Sequence, residues 1–415
     1  MDPRSAYVHI PFCHRRCFYC DFPVVPLGDR ADGASSGSIA AYLLLLHREI
    51  ASSPAGPPLA TVYLGGGTPS MLTGAQVAGI LEALERRYGL APGAELSLEL
   101  DPASIDEARL ADYLAAGINR VSLGGQSFDD RVLAELGRRH RGEDLREAAA
   151  WLRRARRRGE LASWSLDLIQ GLPRQGLAHW DGQLAEAIAL EPPHLSVYDL
   201  SIEPGTVFER RLALGELALP PEDLAADLMD LTWSRLTDAG YGHYEVSNYA
   251  LPGHASRHNR VYWSGAGWWG FGMGATGAPR GRRRAHPRTR AGYAEMLAAT
   301  VALDGEAEGV AEGPDGAEGE GMPFDERLMV GLRCREGVNL ERLARQERLA
   351  PALLDGLRRR LGDYERRGLL RVEGPRWRLA DPEGLALSNG VLREMLAWWQ
   401  ELERPSPQAH PAPAP

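Results

Sequence analysis

Six short apolar runs, each followed by a stretch with helical spacing, constrain the fold of this chain more than any other feature of its sequence. The runs are Ala6–Pro11, Thr61–Gly66, Glu95–Asp101, Arg120–Gln126, Ser163–Gly171 and His194–Ser201, all rich in Val, Leu, Ile or Tyr. The stretches between them read as amphipathic helices over Ile39–Ala51, Ala75–Tyr88, Ile105–Ala116, Asp144–Arg158 and His179–Leu190. Strand, helix, strand repeated in this way predicts an α/β fold with a parallel sheet and right-handed crossovers. Six units rather than eight predict an open, partial (β/α)6 barrel. Sites in such folds lie at the C-terminal ends of the strands.

The rest of the chain divides by composition. Residues 1–240 form the barrel core and end in a further helix, Leu224–Ala239. Residues 241–303 are an aromatic and glycine-rich extension. Residues 304–323 are acidic, glycine-rich and almost without large apolar side chains, and read as a flexible linker. Residues 324–404 predict a smaller, mostly helical domain, with a hairpin at Gly368–Leu379 turning at Glu373-Gly374-Pro375. The Pro/Ala-rich tail 405–415 reads as disordered, and the loop Pro26–Ser38 as soft.

Bulk properties exclude several classes. With 415 residues, 44% apolar and 25% charged, the chain is an ordinary soluble globular protein. A net charge of −9 argues against general nucleic-acid binding. Every basic side chain other than histidine is arginine, so Schiff-base chemistry on lysine is ruled out. No apolar run reaches the length of a membrane span, and Met1–Phe12 has no signal-peptide core, so a cytoplasmic protein without a transmembrane segment is expected.

Three of the four cysteines fall within eight residues, a poor disulfide framework. Cys13, Cys17 and Cys20, spaced C-x3-C-x2-C, follow the first strand directly. Three thiolates can hold three irons of a four-iron cluster and leave the fourth open to a chelating substrate. A zinc site completed by His14 or His9 is the alternative, but no second ligand pair accompanies the cysteines. Further polar residues sit at strand ends. Gly65-Gly66-Gly67-Thr68-Pro69 follows the second strand, and glycines there let the backbone approach a ligand. Glu99 and Gln126 end the third and fourth strands, Asp167 sits on the fifth, and Arg138 comes twelve residues after Gln126. Such carboxylates and amides suit ribose hydroxyls, and a guanidinium suits a carboxylate, unless Glu135 claims Arg138. Taken singly, each also fits a strand-end polar group satisfied within the protein.

The segment Tyr7-Val8-His9-Ile10-Pro11-Phe12-Cys13, continued through Cys20-Asp21-Phe22, resembles the radical SAM superfamily. Within it, the resemblance is to the branch of HemN, the oxygen-independent coproporphyrinogen III dehydrogenase, and the HemW heme chaperones. It extends to about Leu402 and implies a HemN-type C-terminal domain. It also implies a [4Fe-4S] cluster on Cys13, Cys17 and Cys20 that binds S-adenosylmethionine (SAM). Tyr7, the backbone at Tyr19, Gly66, Gly67, Thr68, Glu99, Gln126, Arg138 and Asp167 would form the cofactor shell. In the superfamily the reduced cluster cleaves SAM to a 5′-deoxyadenosyl radical, which in the dehydrogenase takes hydrogen from porphyrinogen propionates.

Two departures argue against that dehydrogenase activity. The dehydrogenase has a further cysteine where this chain has Phe22, and an N-terminal extension where only six residues precede Tyr7. In addition, His258-Asn259-Arg260-Val261-Tyr262-Trp263 matches the HNxxYW pattern of the HemW branch. That match suggests His258 as an axial heme ligand with Tyr262 and Trp263 covering the macrocycle. His243, His254 and His286 are weaker candidates, and relatives with a histidine near Thr276 have no counterpart here. The six arginines of Arg280–Arg290 read as a solvated loop, with heme propionates or an acidic partner as the alternative. Cys334 reads as a buried, inert thiol. The expectation is a heme chaperone that binds cluster, SAM and heme. It would deliver heme to an apo-hemoprotein acceptor, and a peripheral membrane station would follow if that acceptor is membrane-bound. Oxygen-independent coproporphyrinogen III dehydrogenase, or radical chemistry on another tetrapyrrole, are the competing readings.

Overall fold

The computed structural model describes residues 2–29, 32–304 and 321–403. Most of the acidic stretch 304–323 and all of the tail 405–415 lie outside the described residues. The chain divides into two compact units. The first holds residues up to His243 and Ser247–Gly321, and the second Tyr244–Val246 and the residues from Met322 onward.

The first unit is built on one mostly parallel sheet. Strands β1 (Ser5–Ile10), β2 (Leu59–Gly66), β3 (Leu90–Leu100), β4 (Arg120–Gln126), β5 (Ser163–Gln170) and β6 (His194–Asp199) follow one another in space as in sequence. Each pairs in parallel with the next. The crossovers are α1 (Gly37–Ser52), α2 (Gly74–Tyr88), α3 (Glu107–Ala115), α4 (Gly142–Arg157) and α5 (Leu177–Ala189), with α6 (Glu222–Asp238) packed on α5. This is the partial barrel expected from six βα units. Three strands are additional: β7 (Gly242–Glu245), of which only Gly242 and His243 belong to this unit, β8 (Asn248–Ala250) beside β6, and β9 (Trp269–Phe271) in parallel beside β1. At three or four residues they are too short to show a strand period in sequence.

The two faces of the sheet differ. Val8, Leu64, Leu98, Leu123, Leu166 and Leu195 are fully buried on one face, in a single core with the crossover helices. The neighbouring positions point the other way and are polar: Thr61 and Tyr63, Glu95, Ser97 and Glu99, Arg120 and Ser122, Ser163, Ser165 and Asp167, His194 and Ser196. Parallel sheets usually bury apolar side chains on both faces. A strict polar alternation means that the concave face lines a lumen rather than a hydrophobic core.

The second unit has its own core, in which Phe324, Leu328, Leu357, Leu361, Val391 and Trp398 pack together. A three-stranded sheet joins β10 (Val338–Asn339) to the hairpin β11 (Leu370–Glu373) and β12 (Arg376–Leu379), which turns at Gly374-Pro375. Cys334 is half-buried.

Candidate functional site

The polar lumen opens at the C-terminal ends of the strands into a cavity of about 390 Å³. That lies within the roughly 300–1,000 Å³ of small-molecule sites. Cys13, Cys17 and Cys20 all line it, as do Gly66, Gly67, Thr68, Glu99, Gln126, Arg138 and Asp167.

The cysteine loop is pinned at both ends. Phe12 and Cys13 pair with Val25 and Pro26, and the Leu27 amide donates to the Cys13 carbonyl at 2.9 Å. Between Cys17 and Cys20, Phe18 and Tyr19 pack into a small apolar cluster with Leu136, Ile169, Leu172, Phe208 and Leu217. The Phe18 amide donates to the Leu136 carbonyl and its own carbonyl accepts from Phe208, both at 3.0 Å. Two aromatic anchors therefore turn the thiols toward the cavity. The Thr68 hydroxyl lies 3.5 Å from the Cys13 sulfur, and Arg138 Nη1 lies 3.7 Å from the Cys17 sulfur. Burial pushes the Cys13 thiol up to about 12, so metal binding there must displace a proton.

Among the described residues no three His, Cys, Asp or Glu side chains converge tightly enough for a single ion. Of the two zinc alternatives, His9 has both ring nitrogens engaged and His14 only its Nδ1. His9 is held between the Tyr7 hydroxyl at 2.8 Å and the Pro23 carbonyl at 3.1 Å, and His14 contacts the Gly28 carbonyl. Three uncrosslinked thiols around one cavity fit a larger, multi-iron group.

The glycine turn spends its amides internally. Gly66 donates to Glu99 at 2.9 Å, Gly67 to the Ile10 carbonyl at 2.8 Å, and Thr68 to the Phe12 carbonyl at 2.7 Å. Gly66 sits at φ +113, and a Cβ on it would overlap the His9 ring, so glycine is required.

The carboxylates have distinct surroundings. Glu99 accepts from the Tyr63 hydroxyl and the Gly66 amide, both at 2.9 Å, yet burial raises it to about 7. Asp167 accepts from Ser122 at 2.7 Å and is raised by burial. Its other oxygen, Oδ1, is buried and takes no hydrogen bond from the protein. Arg138 does not pair with Glu135, which binds Arg131 and Arg174 instead. Its Nη2 donates to Asp101 at 2.8 Å and to the Gly124 carbonyl at 2.9 Å, leaving Nε buried without a partner. Gln126 stands at φ 64 beside a register shift in β4, a strained backbone of the kind found at ligand sites. A buried carboxylate oxygen and a buried guanidinium N–H, both unpartnered on this wall, fit a polar ligand with hydroxyl and carboxylate groups.

Other expected residues are placed elsewhere. Tyr7 is not on the cavity wall: its ring stacks on Tyr63 at 6.3 Å and its hydroxyl meets His9. His258 is fully buried at the opposite end of the lumen. Its Nδ1 is 2.8 Å from the Thr61 hydroxyl and its Nε2 is 2.8 Å from the Tyr262 hydroxyl. Burial lowers it to about 3. Both ring nitrogens are engaged, so this conformation offers neither of them to a heme iron. Sequence reasoning missed Asp101, Tyr63, Ser122 and the Glu95–Arg120 pair; the polar alternation in Glu95–Asp101 carried the signal for Glu95 and Asp101.

Comparison with known proteins bears on the family and the fold. Residues 7–181 match the model of the radical SAM superfamily, and residues 324–387 that of the HemN C-terminal domain. The heme chaperone HemW of Synechocystis sp. is 39% identical over 96% of this chain and 98% of its own length. The heme chaperone HemW of Bacillus subtilis is 33% identical, over 82% and 86%. The solved structure of coproporphyrinogen III oxidase (HemN) from Escherichia coli shares the fold, with a TM-score of 0.72 at 24% identity over 95% of this chain and 90% of that one.

Proposed function

The chain belongs to the HemW family of radical SAM proteins, and we propose that it is a heme chaperone that carries a [4Fe-4S] cluster and SAM and passes heme to an apo-hemoprotein. Family membership implies the cluster and SAM, and the cavity supplies residues for both. Cys13, Cys17 and Cys20 would hold three irons, leaving the fourth for the amino and carboxylate groups of SAM, whose adenosyl radical is what the pair supplies when reduced. Carbonyls of the Gly66–Gly67 turn would accept from the N–H groups of that amine. Glu99, Gln126 and Asp167 would meet hydroxyls, and Arg138, already spent on Asp101, would present its free Nε to the carboxylate.

One observation favours the chaperone over the dehydrogenase. Where the dehydrogenase has a further cysteine, Phe22 lines the cavity with half of its surface exposed. Tyr198, also on the cavity wall, is 42% exposed. An aromatic mouth suits the face of a flat macrocycle, and Arg15, Arg16 and Arg139 around it suit propionates. Among the described residues no helix is long and apolar enough to cross a membrane.

The test is a single anaerobic sample with reconstituted cluster, assayed for heme bound per chain and for coproporphyrinogen III turnover with SAM and a reductant. Heme binding without turnover is expected. Turnover without heme binding would replace this reading with the dehydrogenase.

A further inference from the structure

The motif His258–Trp263 closes the barrel at the end away from the cysteines. Helix α7 (Arg257–Ser264) enters the N-terminal end of the lumen, where the Glu95 carboxylate accepts from the amides of Arg257 at 3.1 Å and His258 at 3.0 Å. Arg120 lies 3.7 Å from Glu95 and donates to the His254 carbonyl at 3.0 Å. The same segment places the His254 ring 3.0 Å from Ser163. A buried charge pair and a helix N-terminus thus fix the position of His258 to the strands themselves.

From that floor a column of rings rises toward the cavity. The His258 ring stacks on Tyr63 at 5.2 Å and 22°. Tyr63 stacks on Tyr7, and its hydroxyl donates to Glu99 at 2.9 Å. Tyr262 holds the far nitrogen of His258 and packs edge-on against it at 5.1 Å and against Trp268 at 4.8 Å. Thr61 holds the near nitrogen at 2.8 Å. His258 therefore has no freedom to tilt, and Tyr63 can present its hydroxyl to Glu99 only while the ring beneath it stays in place.

We propose that His258 is a positioning residue for the SAM end of the cavity: clamped between Thr61 and Tyr262, it supports Tyr63 and through it orients Glu99, and it does not ligate heme. This rests on the reading that the cavity takes SAM. The motif that resemblance assigns to heme is, in this fold, the barrel floor.

The experiment is a double-mutant cycle on the cluster-loaded chain. SAM affinity, heme bound per chain and melting temperature are measured for wild type, His258→Ala, Tyr63→Phe and the double variant. Each single variant is expected to weaken SAM about tenfold, the effect of one misplaced hydrogen bond. The double variant should be no weaker than the worse single, and heme per chain should be unchanged. If His258→Ala abolishes heme binding and spares SAM, or if the two losses on SAM add, the proposal is overturned. Should His258→Ala fail to fold, Tyr262→Phe removes only the clamp on the ring and enters the same cycle with Tyr63→Phe. A wild-type chain that binds no SAM would sink the underlying cavity reading as well, which keeps the two failures distinct.

Discussion

Burial places the Glu99 carboxyl at about 7 against an ordinary 4.5, although two hydrogen bonds pull the other way. Its folded value lies above its unfolded one, so the folded chain keeps a proton that the unfolded chain releases. Its contribution to stability is full below about 4.5 and falls as pH rises through 7. Denaturant unfolding of the cofactor-free protein and of Glu99→Gln should show wild type losing ground to the variant across that window, while a constant difference would contradict the assignment. Asp101 behaves oppositely. Its pairing with Arg138 at 2.8 Å holds it below the ordinary value despite burial. Asp101→Asn removes the anion and leaves the guanidinium with only the Gly124 carbonyl and the Cys17 sulfur. With both side chains slightly exposed, a loss of about 2 kcal/mol in the unfolding free energy from denaturant titration is expected. Glu99 was legible in the sequence as a strand-end acid. Its partner Tyr63 was not, because one tyrosine within an apolar run shows no sign of which face it occupies.

The six long strands and their crossover helices were readable to within a few residues, since each is long enough to show its period. Strands β7, β8 and β9 were not, and only tertiary pairing defines them. The polar alternation was present in the sequence: Glu95, Ser97 and Glu99 alternate with Leu96, Leu98 and Leu100, and Ser163, Ser165 and Asp167 with Trp164, Leu166 and Leu168. It marks a lumen where apolar content alone suggests only a strand. At this scale the floor is the vulnerable element. Glu95→Ala removes the carboxylate that holds the N-terminus of α7 and leaves Arg120 buried without its anion. A loss of about 3 kcal/mol in the unfolding free energy from denaturant titration follows. Thr73→Ala, which deletes only the capping box of α2, should cost about 1 kcal/mol. Comparable losses for the two would contradict a buried floor.

Across the whole molecule the division of labour follows the sheet. The apolar face builds the core with its helices, and the polar face carries a graded lumen from the Glu95–Arg120 floor, through Tyr63 and His258, to the acids and thiols at the mouth. The cysteine trio was legible from spacing. The position of His258 was not, because a motif names residues without saying which end of a barrel they occupy. A protein that would hold a cluster at one end of a polar barrel and a macrocycle at an aromatic mouth is suited to carry heme. Heme handover is the direct measure: the heme-loaded, cluster-loaded chain is mixed with an apo-hemoprotein, and the absorption bands are followed over time. The account predicts that heme leaves this chain and appears in the acceptor. Heme retained indefinitely, or acceptor filled no faster than by free heme, would contradict it.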